Sequence, residues 1–375
     1  MAIYLLAGGS TGGHIYPGFA VAEAIRALDP TGRIDFACTT RALDGPILKG
    51  WKGEILVQPV QPFAVRPMGF VKFTIGWWRT KFLVRRWLKQ NKIAGVLGLG
   101  GFGSGAAVYV GSKLGLRTAF LNPDFVPGRA NTWLSNYAGK IFVQFEGTQR
   151  YFSRPVDVVG VPLRNNICRL AGPDRSELRR QALAEFGFDP NQKTLVVMGG
   201  STGARSLNSA VVKALGDLAD RMAGRWQVFH VTGGADYERV RVSETYRNMT
   251  GVTLKTAPYT DHMDLAWAMA DAAVCRAGAI TLAELTAAQV PAVLLPYPYH
   301  RDNHQAKNAD VLVNAGAAVM VTDDKVAGSA TVDNLRDALA KIVTNETVRT
   351  GMVQAAGSLH RVDAAEKVAR WLTGK

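Results

Sequence analysis

Two glycine-rich loops carry residues whose types and spacing suit the binding of a phosphate. One is GGSTGGH, Gly8–His14, and the other is GGSTGAR, Gly199–Arg205. Glycines let backbone amides approach an anion, and the N-terminus of a following helix adds positive partial charge. The loops therefore predict a bound nucleotide or sugar phosphate, although a tight strand-to-helix turn also uses glycine. The candidate contacts are Thr11, Gly12, Gly13 and Ser201.

His14, at the end of the first loop, is the first candidate for proton transfer. An imidazole titrates near neutral pH, so it can act as a general base or donate a hydrogen bond to a phosphate. A single histidine is more often structural. The loop that carries His14 is the reason to favour a catalytic role.

Residues 274–308 hold the densest group of candidate ligand-binding side chains. Glu284 falls on a predicted helix, where a carboxylate can accept hydrogen bonds from two ribose hydroxyls. A solvated helix face is the alternative interpretation of this glutamate. A later loop is predicted to carry polar groups that can bind sugar hydroxyls. They are Asn303, His304, Gln305 and Asn308.

The same segment offers little for a metal. His300 and His304 have the i, i+4 spacing of metal ligands, but no HExxH motif accompanies them. The chain also has no DxD motif, so a metal-bound diphosphate is not supported. We therefore expect neither a metal nor a cofactor.

A third glycine cluster, GLGGFGSG over 98–105, keeps a nicotinamide enzyme as an alternative. It matches GxGxxG after an apolar strand, and Asp124 follows at about the spacing of a dinucleotide fingerprint. Such a fingerprint usually lies at the first strand of its domain, whereas this cluster comes about a hundred residues into the chain. The match is therefore weak.

The elements around these motifs alternate between short apolar runs and amphipathic stretches. This pattern predicts an α/β protein with parallel sheets covered on both faces. Pro17 is expected at the first position of the first helix. YLLAGGSTGGH returns as LVVMGGSTGAR 191 residues later, which indicates two similar Rossmann-like domains with a cleft between them.

The predicted domain bounds follow from this repeat. We expect an N-terminal domain over 1–162, a C-terminal domain over 163–350 and a terminal segment over 351–375. The linker is placed near 161–164, where prolines interrupt the helical pattern. Residues 362–372 have helical spacing and are expected to form a helix that returns towards the N-terminal domain.

Composition limits the cellular context. The three cysteines show no CxxC spacing and are interpreted as buried thiols in a reducing compartment. The N-terminus lacks a basic leader, and no apolar segment is long enough to span a bilayer. The net charge of +14 is concentrated in residues 66–92, which contain no acidic residue. No nucleic-acid-binding motif accompanies this charge, so nucleic acid is not expected as a partner.

Several motifs together resemble the MurG family of N-acetylglucosaminyltransferases of peptidoglycan synthesis. The resemblance spans nearly the whole chain and lies in the order and spacing of six segments. They are GGSTGGHIYPGFAVAEAI, VLGLGGFGSG, GVPLR, GGSTGARSLN, VCRAGAITLAEL and NHQAKNA. It implies a GT-B fold, UDP-N-acetylglucosamine as the donor and lipid I, undecaprenyl-diphosphate-linked muramyl pentapeptide, as the acceptor.

The resemblance also implies roles for residues at matching positions. Thr11, Gly12 and Gly13 fall in the loop at the substrate phosphates, and Glu284 matches the carboxylate that binds the ribose. Thr260 matches a contact near the uracil. The other matching positions, at the donor diphosphate and sugar, are Arg164, Ser201, Ala279, Ile280, Thr281, Leu282, Ala283, Gln305 and Asn308.

One motif departs from the family pattern. Where the family has HEQN, this chain has Leu121, Asn122, Pro123 and Asp124. If the family's glutamate serves catalysis or acceptor binding, that role passes here to Asp124 or His14, or the acceptor differs. Asp124 is therefore a candidate for both catalysis and substrate binding.

The basic segment 66–92 is predicted to be a helix at a membrane surface. Its aromatic and basic composition suits an anionic bilayer, and a lipid-linked acceptor favours that interpretation over an ordinary amphipathic helix. The apolar face is expected to hold Phe70, Phe73, Trp77, Val84, Trp87 and Leu88, with Lys81, Arg85 and Lys89 beside it. The expected membrane contacts are Phe73, Trp77, Trp78, Arg79, Phe82, Arg85 and Arg86.

The resulting hypothesis is an inverting, metal-independent transfer on the cytoplasmic face of the inner membrane. The muramyl 4-hydroxyl displaces UDP, and His14 or Asp124 removes the proton. Another GT-B lipid glycosyltransferase, a UDP-sugar epimerase and a non-catalytic UDP-sugar-binding relative remain alternatives. The sequence leaves the oligomeric state open.

Overall fold

A computed structural model describes residues 1–9, 12–42, 44–62, 67–200, 203–300 and 302–375. The chain divides into two compact units. Unit 1 comprises Met1–Arg164 and Asp363–Lys375, and unit 2 comprises Asn165–Val362. The change between units at Arg164 falls in the proline-containing stretch GVPLR.

Unit 1 is built on a parallel sheet. Its strands are β1 (Ile3–Ala7), β2 (Arg33–Thr39), β3 (Ile55–Gln58), β4 (Gly95–Gly98), β5 (Arg117–Asn122), β6 (Lys140–Val143) and β7 (Asp157–Val158). They lie in the order β3-β2-β1-β4-β5-β6-β7. The connecting helices are α1 (Gly12–Leu28), α2 (Asp44–Leu48), α3 (Pro67–Gln90), α4 (Gly105–Lys113) and α5 (Arg129–Leu134), with short 3-10 turns at Phe102–Ser104 and Glu146–Tyr151.

Unit 2 repeats this plan. Its strands are β8 (Lys193–Met198), β9 (Trp226–Val231), β10 (Thr253–Ala257), β11 (Ala270–Cys275), β12 (Ala292–Leu294) and β13 (Ala318–Met320), in the order β10-β9-β8-β11-β12-β13. The helices are α6 (Asn165–Cys168), α7 (Arg175–Phe186), α8 (Arg205–Met222), α9 (Tyr237–Arg241), α10 (Glu244–Asn248), α11 (Met263–Met269), α12 (Ala279–Ala288), α13 (His304–Asn314), α14 (Ser329–Thr344) and α15 (Glu346–Ser358), with a 3-10 turn at Arg169–Ala171.

Both sheets therefore have the strand order of a Rossmann fold, and the predicted α/β class with two Rossmann-like domains is confirmed. The strand order reverses between β1 and β4 in unit 1 and between β8 and β11 in unit 2. Ligands of such sheets bind outside the carboxyl ends of the strands at this switch point. The two glycine loops that the repeat identified follow β1 and β8, so each lies at the switch point of its own unit.

The final helix, α16 (Ala364–Thr373), belongs to unit 1 although the segment before it belongs to unit 2. Val368, Ala369 and Leu372 are buried in the core that contains α1. At the helix end, the Lys375 ammonium lies 3.2 Å from a carboxylate oxygen of Asp29.

The expected start of the first helix is wrong. Helix α1 begins at Gly12, and Pro17 lies inside it. A proline there cannot donate to the carbonyl four residues earlier, which usually ends or kinks a helix. Ile15 in the first turn is buried in the unit 1 core, so tertiary packing stabilises a turn that the sequence alone disfavours.

Candidate active site

The switch point of unit 1 brings two glycine loops against each other. A Cβ atom at Gly103 would lie 2.8 Å from the carbonyl oxygen of Gly8, so only glycine allows this approach. Gly100 and Gly101 adopt φ of 100° and 70° and lie against the ring of His14. The glycines that resemble a dinucleotide fingerprint therefore form the wall against which His14 packs.

His14 lies on the first turn of α1 and is half-buried. Its Nδ1 is 3.0 Å from the carbonyl oxygen of Gly9. Because a carbonyl can only accept, Nδ1 carries the proton in the neutral ring and Nε2 is the basic nitrogen. Burial lowers the pKa of His14, and the Gly9 carbonyl and the carboxylates of Asp124 and Asp44 oppose that shift. The ring is therefore neutral at pH 7 and able to accept a proton.

Asp44 is a buried carboxylate that the sequence analysis missed. It accepts hydrogen bonds from the Thr39 amide at 2.9 Å and the Thr39 hydroxyl at 2.6 Å. Gly9, with φ of 128°, passes so close to this carboxylate that a side chain at Gly9 would collide with it. Asp44 therefore holds the end of β2 close to the loop after β1 and adds negative charge near His14.

The segment that replaces the family's HEQN motif forms a connected polar group. The Asn122 amide donates to the carbonyl of Asp124 at 2.6 Å, and the Asn131 amide donates to the Asn122 side-chain oxygen at 2.9 Å. Asn122 and Asn131 are buried, whereas Asp124 is half-buried. This network holds the loop after β5 so that the Asp124 carboxylate lies within electrostatic range of His14.

The remaining candidates of unit 1 lie at or beside α1. Gly12 and Gly13 form its first turn, and Thr11 lies outside the described residues. The Arg164 guanidinium lies 4.8 Å from the ring centre of Tyr16 on the same helix. Arg164 ends the first stretch of unit 1, and its charge lies over this aromatic ring.

In unit 2, α12 presents its N-terminus directly after β11. Gly278 precedes the helix in an extended conformation and, as a glycine, has no side chain of its own to cap it. The amide of Leu282 is the first to bond within the helix, to the carbonyl of Gly278. The predicted residues Ala279, Ile280 and Thr281 therefore supply first-turn amides, which attract an anion.

Glu284 lies farther along α12, with its carboxylate held in place. The indole Nε1 of Trp267, a fully buried residue of α11, donates to it at 3.0 Å. The carboxylate is half-buried, so the solvated helix face considered above does not describe it. Sequence analysis did not find Trp267, because α11 and α12 pair only in the folded unit.

A buried ion pair joins the loops around α12. Arg276, directly after β11, lies 2.7 Å from Asp323 and donates to the Ser206 hydroxyl at 2.9 Å. It also donates to the carbonyls of Leu295 and Pro296 after β12. The two charged side chains are only 7% and 1% exposed. Arg276 therefore holds together chain segments that follow β8, β11, β12 and β13.

Gln305 and Asn308 lie on α13, so their predicted placement in a loop is wrong. The helix forms because Asn308, Ala309 and Leu312 share a buried face. Asn308 donates to the carbonyl of Ala277, which joins α13 to the segment directly before α12. The Gln305 side-chain oxygen accepts a hydrogen bond from the Tyr297 amide at 2.9 Å.

The second glycine loop and Thr260 complete the unit 2 candidates. Ser201 and Thr202 lie outside the described residues, whereas Gly203 packs closely on the carbonyl of Thr232. Thr260 precedes α11, and its hydroxyl accepts a hydrogen bond from the His262 amide at 3.1 Å.

The apolar face of α3 that was expected at a membrane is turned inward, so that part of the expectation is wrong. Of the expected membrane contacts, Trp78, Arg79, Phe82, Arg85 and Arg86 are nevertheless exposed. Val84 and Leu88 are buried in the core of unit 1, and Trp77 and Trp87 pack against it. The Trp77 ring lies 5.4 Å from that of Trp133. Phe73 is half-buried beside Trp77, and the Phe70 side chain lies outside the description. The helix has two apolar stripes, and periodicity cannot say which one packs inward.

A second apolar stripe of α3 is exposed, and we call it the α3 stripe. Its members, spaced three and four residues apart, are Met68, Val71, Ile75, Trp78 and Phe82. Basic side chains of the same helix are also exposed, namely Lys72, Arg79, Arg85, Arg86 and Lys89. In the described part of the chain, no helix combines the length and hydropathy needed to cross a bilayer.

Comparison with known proteins covers both units. Residues 3–143 match the glycosyltransferase family 28 N-terminal domain, and residues 194–368 match the family 28 C-terminal domain. A protein from Anaeromyxobacter dehalogenans (strain 2CP-C), named UDP-N-acetylglucosamine--N-acetylmuramyl-(pentapeptide) pyrophosphoryl-undecaprenol N-acetylglucosamine transferase, is 34% identical over 97% of this chain and 91% of its own. One of the same name from Clavibacter michiganensis subsp. michiganensis is 35% identical over 98% of this chain and 95% of its own. The crystal structure of Acinetobacter baumannii MurG is 25% identical, with a TM-score of 0.79 and both chains fully covered.

Proposed function

This chain belongs to the MurG family of N-acetylglucosaminyltransferases, and we propose that it transfers N-acetylglucosamine from UDP-GlcNAc to the 4-hydroxyl of lipid I, giving lipid II. The observation that carries the proposal is similarity over nearly the full chain to relatives named for this transfer. The contacts within each unit support it.

The donor is assigned to unit 2. First-turn amides of α12 and the loop containing Ser201 are proposed to bind the diphosphate, because helix N-termini favour negative charge. The Glu284 carboxylate, oriented by Trp267, accepts hydrogen bonds from the ribose hydroxyls. Gln305 and Asn308 bind the sugar. Further donor contacts are assigned to Thr260, Leu282 and Ala283 of unit 2 and to Arg164, which ends the first stretch of unit 1.

The acceptor and the general base are assigned to unit 1. We propose His14 as the base, because burial keeps its ring neutral and the Gly9 carbonyl directs the proton to Nδ1. The carboxylates of Asp124 and Asp44 then stabilise the imidazolium that forms. Thr11, Gly12, Gly13 and Asp124 bind the acceptor beside it.

The proposed step is a direct displacement with inversion. The muramyl 4-hydroxyl oxygen bonds to C1 of GlcNAc, the bond from C1 to the diphosphate oxygen breaks, and UDP leaves with the electron pair. The hydroxyl proton passes to Nε2 of His14. Loop and helix amides stabilise the charge on UDP, and one such preorganised donor is worth about 3 kcal/mol.

The α3 stripe is proposed to bind the cytoplasmic face of the inner membrane as a peripheral contact. Exposed aromatic and aliphatic side chains can enter the headgroup region while Arg79, Arg85 and Arg86 attract anionic lipids. Each basic residue near the surface contributes about 1 kcal/mol. A lipid-linked acceptor lies in that surface, so the helix would hold the enzyme at its substrate.

Sedimentation with vesicles tests this contact. Trp78 and Phe82 are 61% and 72% exposed. Transfer of the exposed part of such a side chain from water into the membrane contributes about 3 kcal/mol. If only half of that part enters the membrane, each residue raises the partition coefficient of the protein about tenfold. The double variant Trp78→Ser, Phe82→Ser should therefore bind phosphatidylglycerol vesicles more weakly, by about tenfold for each of the two residues. Val326→Ser, at a residue 77% exposed in unit 2, is the matched control. Equal binding by the double variant and the control would remove α3 as the membrane contact.

Release of UDP from UDP-GlcNAc tests the reaction class. The purified full chain should release UDP only when a lipid I analogue is present, and EDTA should not abolish turnover. Conversion of UDP-GlcNAc to UDP-N-acetylmannosamine in the absence of acceptor, with no net release of UDP, would indicate an epimerase. Donor binding without any turnover would indicate a non-catalytic relative.

A further inference from the structure

The loop after β12 contains a cluster of nitrogen and oxygen donors that the proposed transfer does not use. His300, Asp302 and His304 each contribute one ligand atom, and these atoms all lie within 4.8 Å of one another. Within the described residues, no other group of three such side chains comes this close. The sequence analysis set aside the spacing of His300 and His304 without considering Asp302, although Asp302 lies between them in the sequence.

The geometry of the cluster already approaches that of a metal site. His304 Nδ1 lies 2.9 Å from Asp302 Oδ1, and the rings of His300 and His304 have centroids 4.4 Å apart. Tetrahedral coordination with metal–ligand bonds near 2.0–2.1 Å requires ligand atoms about 3.3 Å apart. The three ligand atoms, which lie within 4.8 Å of one another, are thus within about 1.5 Å of the separation that coordination requires.

The donor types select the class of ion. Two imidazole nitrogens and a carboxylate suit zinc and neighbouring divalent transition metals, whereas Mg²⁺ and Ca²⁺ prefer oxygen ligands. Three protein ligands leave at least one position for water, which is consistent with the exposure of His300 and Asp302.

The position of the cluster gives the ion a structural consequence. His304 is the first residue of α13, and Gln305 follows it directly. Tyr297, whose amide donates to Gln305, lies at the other end of the same loop, with its ring 4.9 Å from that of His300. An ion bound here would tie the loop after β12 to the first turn of α13.

We propose that His300, Asp302 and His304 form a binding site for a zinc-class divalent cation. The proposed transfer does not require a metal, so activity in EDTA and zinc binding are independent outcomes. The cation stabilises the loop that leads to Gln305.

Calorimetric titration of the metal-free full chain with ZnCl₂ tests the proposal, with visible absorption of the Co²⁺ form as a second readout. We expect saturable one-to-one binding that excess Mg²⁺ does not displace. His300→Ala and His304→Ala should each lower the zinc affinity by more than about 10–100-fold. A loss of that size already follows from changing a residue that only hydrogen-bonds a metal ligand.

His262→Ala is the matched control, because His262 is exposed in the same unit but lies outside the cluster. Its zinc affinity should equal that of the unchanged chain, and circular dichroism should show that all three variants are folded. Absence of saturable binding, or equal affinity in all three variants, would overturn the proposal.

Discussion

Gly101→Ala is a sharp test of the role assigned to His14. Gly101 has φ of 70°, and a Cβ atom added there would lie 2.9 Å from Cε1 of His14. Gly115 has nearly the same φ, 72°, but a Cβ atom there meets nothing within 4 Å. Alanine at either position carries the strain of a positive φ, and at Gly101 the ψ of −177° places the backbone in a region that essentially only glycine adopts. Only Gly101→Ala also displaces the imidazole.

The expected magnitudes separate the two effects. Backbone strain should cost each variant roughly 1–3 kcal/mol in stability, so kcat is compared under conditions in which both variants are folded. Relief of the contact with His14 requires about 0.7 Å of ring movement to reach ordinary carbon separations of about 3.6 Å. Because a misplacement of about 1 Å can cost about 100-fold in rate, we expect kcat to fall by about 10–100-fold in Gly101→Ala alone.

The assay is UDP release at saturating UDP-GlcNAc and lipid I analogue, well below the unfolding temperature of both variants. Donor affinity, measured by calorimetry, should remain unchanged because Gly101 is not among the proposed donor contacts. If Gly101→Ala turns over as fast as Gly115→Ala, the position of His14 does not limit the reaction and its assignment as base fails.

Three further predictions follow from the charged and titratable groups. Glu284→Gln should raise the Kd for UDP-GlcNAc by about 10–100-fold, the value of a hydrogen bond to a charged group, with kcat at saturation little changed. His14→Ala should lower kcat by about 100–10,000-fold with donor Kd unchanged, and comparable small effects of both substitutions would remove the two assignments. Burial lowers the pKa of His230 to about 3, so its stabilising contribution is complete above its unfolded pKa and is lost as pH falls towards 3. Between pH 6 and 4 the free energy of unfolding, measured with urea, should therefore decrease more steeply in the unchanged chain than in His230→Gln, by up to about 1.4 kcal/mol per pH unit. The same dependence of this free energy on pH in both proteins would contradict the prediction.

The sequence predicted the fold well because strand and loop patterns are local. LLAGGSTGG and VVMGGSTGA each combine an apolar run, typical of a strand, with glycines that are typical of a turn into a helix. Their strands, β1 and β8, both lie where the strand order of their sheet reverses. The predicted start of α1 was wrong, because burial of Ile15 stabilises a helical turn before Pro17 that the proline disfavours. Local preference is a weak constraint when packing opposes it.

The site was predicted less completely because its contacts join distant segments. The bond from Trp267 to Glu284 and the ion pair of Arg276 with Asp323 form only when separate helices and strands meet. The predicted orientation of α3 was wrong for another reason. Both of its faces carry apolar residues, so the inward face depends on what the rest of unit 1 presents, including Trp133.

The structure of the reaction product tests the central claim most directly. The purified chain, UDP-GlcNAc and a lipid I analogue should yield GlcNAc joined by a β linkage to the muramyl 4-oxygen, as proton NMR of the isolated product can establish. A sugar in α linkage, at another hydroxyl or on no acceptor at all would contradict direct displacement by lipid I.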